Sequence, residues 1–312
     1  MKHISESITK YKEYKQELKE GKSQGLLTPY SNLNKNLKNG LPWNSVTTIA
    51  ALSGVGKTTL LANICFAAPI LNPNTSVLVF SLEMPGRSLI ARQLSKLFKM
   101  TTKDLENPEF DIDYSKLLDI ENLPIYTDEE GGTADNIYNK IDAFIRKHDS
   151  TTNILIGIDH ALLIDGDNEN EKMARLTGLI NKLKLKYSNA NFIILSQLND
   201  SVLKEERVNK KGLLLYPQQL DLMYARVLFH VSDTVIALNI PSRYIDEELN
   251  TSNKRYAKEY GGLPLFVKKN GMNIPLVYGH IIKGRDTGTS IVAWASQLQY
   301  NELIEANIDT NI

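Results

Sequence analysis

Short, nearly continuous apolar runs recur along the chain, each followed by a stretch with helical spacing. Val46 to Ala50, Ser76 to Ser81, Ile154 to Ile158, Phe192 to Leu195 and Thr234 to Leu238 read as strands buried on both faces, with a short strand at Pro124 to Tyr126 and a late one at His280 to Lys283. Leu60 to Ala68, Arg87 to Lys99, Ala134 to Lys147 and Met173 to Tyr187 read as helices; Ile137, Ile141 and Ile145, for example, share one face. Strands and helices in alternation predict an α/β fold with a mostly parallel central sheet, whose ligands bind at the carboxyl ends of the strands.

Three segments lie outside this alternation. Ile4 to Gly21 is charged, with Ile4, Ile8, Tyr11, Tyr14 and Leu18 forming a narrow apolar stripe, and Gly21 to Gly25 reads as a linker. A lone helix of under about 20 residues is marginal in water, so this stripe needs a surface on its own domain or on a neighbouring subunit. The expected organisation is a helix and linker over residues 1–25 and one large domain over 26–312. Asn199 to Gln219 is polar and carries Lys204, Arg207, Lys210 and Lys211, as a DNA-contacting loop or a solvated insertion would. Pro241 to Gly279 contains two apolar runs, Leu263 to Val267 and Ile274 to Tyr278, around Asn270-Gly271, which predicts a late β-hairpin.

Composition narrows the ligands and the compartment. The 312 residues hold 36 basic and 36 acidic side chains, so a nucleic acid would be held by local patches and not by bulk attraction. The single cysteine, Cys65, excludes an internal disulfide framework, suits a reducing compartment and reads as a small core residue. Neither a long apolar span nor a signal-peptide core is present, and the expectation is a cytoplasmic protein without a membrane partner.

The chemistry centres on Ala51-Leu-Ser-Gly-Val-Gly-Lys-Thr-Thr59, between a predicted strand and a predicted helix. In a phosphate-binding loop the backbone N–H groups and the helix N-terminus face the phosphates, a lysine reaches the β and γ oxygens, and a hydroxyl holds magnesium. Ser53, Gly54, Val55, Gly56, Lys57, Thr58 and Thr59 are the expected ATP-binding residues, with Lys57 and Thr58 in the last two roles. Ala51 stands where the usual pattern has its first glycine.

Hydrolysis requires further groups. Asp159 closes one buried strand and is the candidate carboxylate for Mg2+; Glu83 follows another and is the candidate base for the attacking water. Gln197 ends a third and is placed to sense the γ-phosphate, coupling its loss to movement of the loop that follows. Arg285, in Lys283-Gly-Arg-Asp-Thr-Gly288, is a candidate arginine finger, acting on another subunit if the protein is a ring.

Taken together, these segments resemble the RecA-type motor domain of the replicative ring helicases, the DnaB family. The likeness is carried by Ser81-Leu-Glu-Met-Pro-Gly86, by Ile193-Ile-Leu-Ser-Gln-Leu-Asn199, by Lys283, Arg285 and Gly288, and by Thr28 to Leu41. It spans about residues 4 to 296, and that family also places alanine where Ala51 stands.

The resemblance implies a RecA-like P-loop NTPase core preceded by a linker helix that docks on the neighbouring subunit. It also implies a hexameric ring around single-stranded DNA. ATP would lie between subunits, with Lys57, Thr58, Glu83, Asp159 and Gln197 from one copy and Lys283 and Arg285 from the next. DNA would be gripped by the loops after Asp159 and Gln197; Lys204, Arg207, Lys210 and Lys211 are candidates for phosphate contact, whereas 165–171 is acidic.

The expected activity is ATP-dependent helicase or translocase action in DNA replication, with primase, a loader or a polymerase as further partners. Two alternatives stay open: a non-unwinding partner of another replicative helicase, and a RecA/RadA-like recombination ATPase. Full-length family members carry a primase-binding N-terminal domain where only the Ile4 to Glu20 helix precedes the motor here. His160-Ala161-Leu162 replaces the family's aromatic, aliphatic and glutamine residues, and His160 reads as a packed or solvated replacement.

Overall fold

The structure, a computed structural model, describes residues 3–20, 25–166, 168–203, 216–243, 259–260 and 262–308. In chain order its main elements are α1 (Ile4–Lys19), α2 (Ser31–Asn36), β1 (Val46–Ala51), α3 (Lys57–Leu71), β2 (Thr75–Ser81), α4 (Gly86–Phe98), β3 (Ile125–Asp128) and α5 (Ala134–Arg146). These continue into β4 (Asn153–Asp159), α6 (Glu169–Lys186), β5 (Ala190–Gln197), α7 (Ala225–Val231), β6 (Thr234–Asn239), β7 (Phe266–Lys269), β8 (Met272–Gly284), β9 (Ser290–Gln297) and β10 (Glu302–Glu305).

Six strands run parallel in the order β3-β2-β4-β5-β1-β6, and β8, β9 and β10 extend the sheet antiparallel beyond β6. The expectation of a mostly parallel α/β sheet therefore holds. The apolar runs are buried on both sides because each strand alternates between two cores. Val77 and Val79 of β2, Leu155 of β4, and Ile193 and Leu195 of β5 face α3, with its Leu60, Leu61, Ile64 and Cys65. Leu78 and Phe80, Ile154, Ile156 and Ile158, and Phe192 and Ile194 face the opposite way, onto Ile137, Ile141 and Ile145 of α5 and Met173, Leu176 and Ile180 of α6. Fully burying each such side chain contributes roughly 1.5–3 kcal/mol. Cys65 is a buried core residue, as expected.

Local signals set the helix ends. The Thr133 hydroxyl accepts from the Asn136 N–H at the start of α5, and the Asn168 side chain accepts from the N–H groups of Asn170 and Glu171 at the start of α6. The expected hairpin is present, with β7 paired to the start of β8 so that Lys269 faces Met272. Its two loop residues, Asn270 and Gly271, have φ of 50° and 77°, the positive values that a tight hairpin turn demands.

Of the elements named above, two strands and one helix lie outside the sequence reading. β9 and β10 form the antiparallel margin, and α7 packs on α6 and β1 through the buried Leu228. In α1, Ile4, Ile8 and Tyr11 of the apolar stripe are exposed. Among the described residues no helix is long and apolar enough to cross a membrane.

Candidate nucleotide site

The register of the parallel strands assembles the site. Ala51 of β1 pairs with Gln197 of β5, and Asp159 of β4 pairs with Ser81 of β2, so three chain segments and the turn holding Glu83 end at one edge. Backbone bonds carry the alignment past the strands: the Leu198 N–H donates to Ala51 O at 3.1 Å, and the Leu82 N–H donates to Asp159 O at 2.6 Å. At this edge the chain leaves β1 and turns into α3 through Gly54 and Gly56, with φ of 74° and 105°. Gly56 is the residue preceding the helix, and only glycine adopts that backbone without strain.

Lys57 and Thr58 open α3, as a phosphate loop requires, and the Lys57 ammonium donates to the carbonyls of Ala51 at 3.0 Å and Leu52 at 3.3 Å. Burial holds the Lys57 pKa below the ordinary lysine range, opposed by the nearby charges of Glu83 and Asp159. Those couplings also place both acids within electrostatic reach of the lysine. Ser53, Gly54 and Glu83 are exposed at the mouth, Gln197 is half-buried, and Val55 and Thr59 are buried and fix the loop from below.

Asp159 is buried, and burial pushes its carboxyl up to about 6, against an interaction with the Thr58 side chain that lowers it; the Glu83 charge raises it further. One carboxylate oxygen, Oδ1, has no hydrogen-bond partner although it is buried. An orphaned buried acceptor beside a threonine hydroxyl suits a hard divalent cation. Among the described residues no cluster of three or more His, Cys, Asp or Glu side chains forms a protein-only cage. The donor set fits Mg2+, which takes one or two protein oxygens and fills its octahedron with phosphate oxygens and water. His160 is also buried, and burial lowers its pKa, so it is a packed neutral side chain as the sequence suggested.

Lys283 and Arg285 are not part of this cluster. β8 runs antiparallel to β6, with Gly284 opposite Thr234, which is itself level with Thr47 near the start of β1. Arg285 therefore lies at the amino edge of the parallel strands. It is about five residues, or roughly 17 Å at the rise of a strand, from the loop of its own chain. There the Lys283 ammonium donates to the Phe229 carbonyl and lies 4.8 Å from the centre of the Phe229 ring. Arg285 ion-pairs with Asp233 at 2.8 Å. Lys204, Arg207, Lys210 and Lys211 lie outside the described residues.

Two contacts at the loop were not anticipated. The Arg243 guanidinium donates to the Gly54 carbonyl at 3.0 Å, and Leu298 packs against Gly56. Arg243 follows β6 by four residues, so the rule that singled out Glu83, Asp159 and Gln197, a polar residue just beyond a parallel strand, applies to it as well.

Comparison with known proteins gives the family of the chain. The profile of the DnaB-like helicase C-terminal domain matches residues 25–271, most of the chain and all of the cluster above. The chain belongs to this family. The DnaB replicative helicase of Buchnera aphidicola (subspecies Schizaphis graminum) is 30% identical over 198 residues, covering 60% of this chain and 41% of that protein. The chain thus spans about two fifths of the length of such curated relatives. The ATPase domain of G40P superposes with a TM-score of 0.75 at 19% identity, covering 98% of this chain and all of the other. A DnaB-like replicative helicase whose structure describes its interactions with primase gives 0.72 at 18% identity, with 98% of this chain and 67% of that one covered. Both show the same RecA-like α/β fold. The match to the DnaB-like helicase C-terminal domain agrees with the reading of Ser81 to Gly86.

Proposed function

We propose that this chain is the ATP-hydrolysing motor of a DnaB-type helicase that acts on single-stranded DNA as a ring of identical copies. One observation carries the reading: Lys57, Thr58, Glu83, Asp159 and Gln197 converge at one edge of the sheet while Lys283 and Arg285 lie at the opposite edge. A complete catalytic set then needs two copies, the loop of one facing the finger of the next.

In this reading the loop N–H groups and Lys57 bind the phosphates, and Thr58 and Asp159 would hold Mg2+, which supplies charge neutralisation at the phosphate oxygens. Glu83 orients the attacking water and accepts its proton. Gln197 senses the γ-phosphate, and Arg285 from the adjacent copy stabilises the charge that develops on transfer. Lys204, Arg207, Lys210 and Lys211 are the proposed DNA-phosphate contacts. The helix α1, with its exposed Ile4 and Ile8, is the proposed linker that docks on a neighbouring copy, and 26–312 is the motor. Primase, a loader or a polymerase are partners proposed through the family relation.

The test is ATP turnover with and without single-stranded DNA, together with mass in solution. The expectation is DNA-stimulated hydrolysis, lost at least about a hundredfold in Glu83→Gln with nucleotide binding retained, and a nucleotide-dependent oligomer. No turnover in the intact protein, or a monomer under all conditions, sinks the proposal.

A further inference from the structure

We infer that Asp233 is the positioning residue for the Arg285 finger, fixing its guanidinium to the sheet so that it meets the nucleotide of a neighbouring copy. The inference rests on the two-subunit reading above and adds to it the residue through which the finger acts.

Asp233 stands one residue before β6 and is 8% exposed. Its backbone is tied on both sides: its N–H donates to Val46 O at 2.8 Å, and its carbonyl accepts from the Arg285 N–H at 2.9 Å. Its carboxylate is shared in the same way. Oδ2 accepts from the Val46 N–H at 2.9 Å and from the Lys184 ammonium at 2.6 Å, and Oδ1 takes Arg285 Nη1 at 2.8 Å. Val46 is the first residue of the strand that leads to the phosphate loop. The finger is therefore referenced, through one side chain, to the same strand that carries the loop.

Folding does not account for the second cation. Lys184, whose side chain is 13% exposed, already neutralises the buried carboxylate. The Arg285 side chain is 55% exposed, and an ion pair of that exposure adds little stability. What the pair does supply is direction. With Nη1 on Asp233 and the backbone N–H on the same residue, the outer part of the guanidinium faces solvent at a fixed height on the edge. Lys283, two residues earlier, is held by Phe229, so the two cations of the segment are separately anchored. Misplacing a charge-stabilising group by about 1 Å can cost on the order of a hundredfold in rate.

The experiment is steady-state ATP turnover of the full chain with single-stranded DNA for wild type, D233N, R285A and the D233N/R285A pair, with K184M as a control. Loss of the finger should lower kcat by roughly a thousandfold or more. D233N should lower kcat about ten- to a hundredfold, with KM within about twofold because the loop is at the other edge. It should cost nothing further in the R285A background, and K184M, which keeps Asp233 on Arg285, should stay near wild type. If D233N does not fold, D233N/K184M leaves no buried charge unpaired and carries the same comparison. A kcat unchanged by D233N where R285A is impaired, or an equal loss from D233N with and without Arg285, overturns this inference alone. Wild-type turnover in R285A overturns the two-subunit reading and this inference with it.

Discussion

His280 makes the fold sensitive to mild acid, by an amount that can be worked out from its surroundings. It lies in β8, 3% exposed, among the rings of Tyr216, Tyr260 and Tyr278. Its Nε2 is 3.2 Å from the Tyr260 hydroxyl, whose oxygen also accepts from Asn239 Nδ2 at 2.9 Å. The phenol proton is thereby directed at Nε2, which suits a neutral imidazole. Burial alone lowers the pKa to about 3 from an ordinary 6.5. A histidine depressed in this way takes up its proton in the unfolded chain first. The unfolded state therefore gains protons as the pH falls through 6.5, and stability drops until the folded form also titrates near 3. At about 1.36 kcal/mol per pH unit, the 1.5 units between 6.5 and 5 cost about 2 kcal/mol. Gln at this position keeps an acceptor for Tyr260 and does not titrate. Urea unfolding at pH 7 and pH 5 should show the wild type losing about 2 kcal/mol more than His280→Gln between the two conditions. Equal losses in the two proteins would refute the assignment of this acid sensitivity to His280.

Two further substitutions test the packing that holds the site. A methyl group on Gly279 would lie 2.6 Å from the Trp294 ring, which is itself packed edge-on against Tyr30 at 5.4 Å. Gly279→Ala should cost roughly 1–3 kcal/mol, read from thermal or urea melts followed by tryptophan fluorescence. Gly56→Ala meets both a φ of 105° and Leu298 at 2.9 Å, and should weaken binding of a fluorescent ATP analogue at least about tenfold. Its far-ultraviolet circular dichroism should stay that of the wild type, since the strain is confined to the loop.

The parts of this protein that can be read from its sequence are those whose signal is local. The phosphate loop is one, because strand, glycine turn and Lys57-Thr58 follow each other directly. The five parallel strands inside the β3 edge are another, because burial on both faces leaves a nearly uninterrupted apolar run; the expected ends are within a few residues of the observed ones for β1, β2 and β4. β8 is the exception, since Ile274 to Tyr278 of the hairpin and His280 to Lys283 were expected as separate strands and the structure joins them in one strand that begins at Met272. β9 and β10 were missed because an antiparallel margin carries a weaker pattern, and β10 is only four residues long. Arg243 carries the same signal as Asp159 and Gln197, a polar residue just beyond a parallel strand, and was passed over because it stands four residues past the end of β6. Asp233 was missed for a different reason: its contacts come from which segments lie beside β6 and in what register, and nothing in the residues around it specifies that. The expected DNA-contacting lysines and arginine lie outside the described residues.

The opposed placement of the phosphate loop and Arg285 has a consequence for how copies of the chain associate. A contact that joins one edge of a molecule to the other edge of the next is head-to-tail and cannot be satisfied by a symmetric pair. Under the proposed reading, two copies make one complete site and leave one loop and one guanidinium without a counterpart, and a third copy only moves the open ends apart. Every site becomes equivalent only when the last copy meets the first, so closure of the assembly and full catalytic capacity would be reached in the same step.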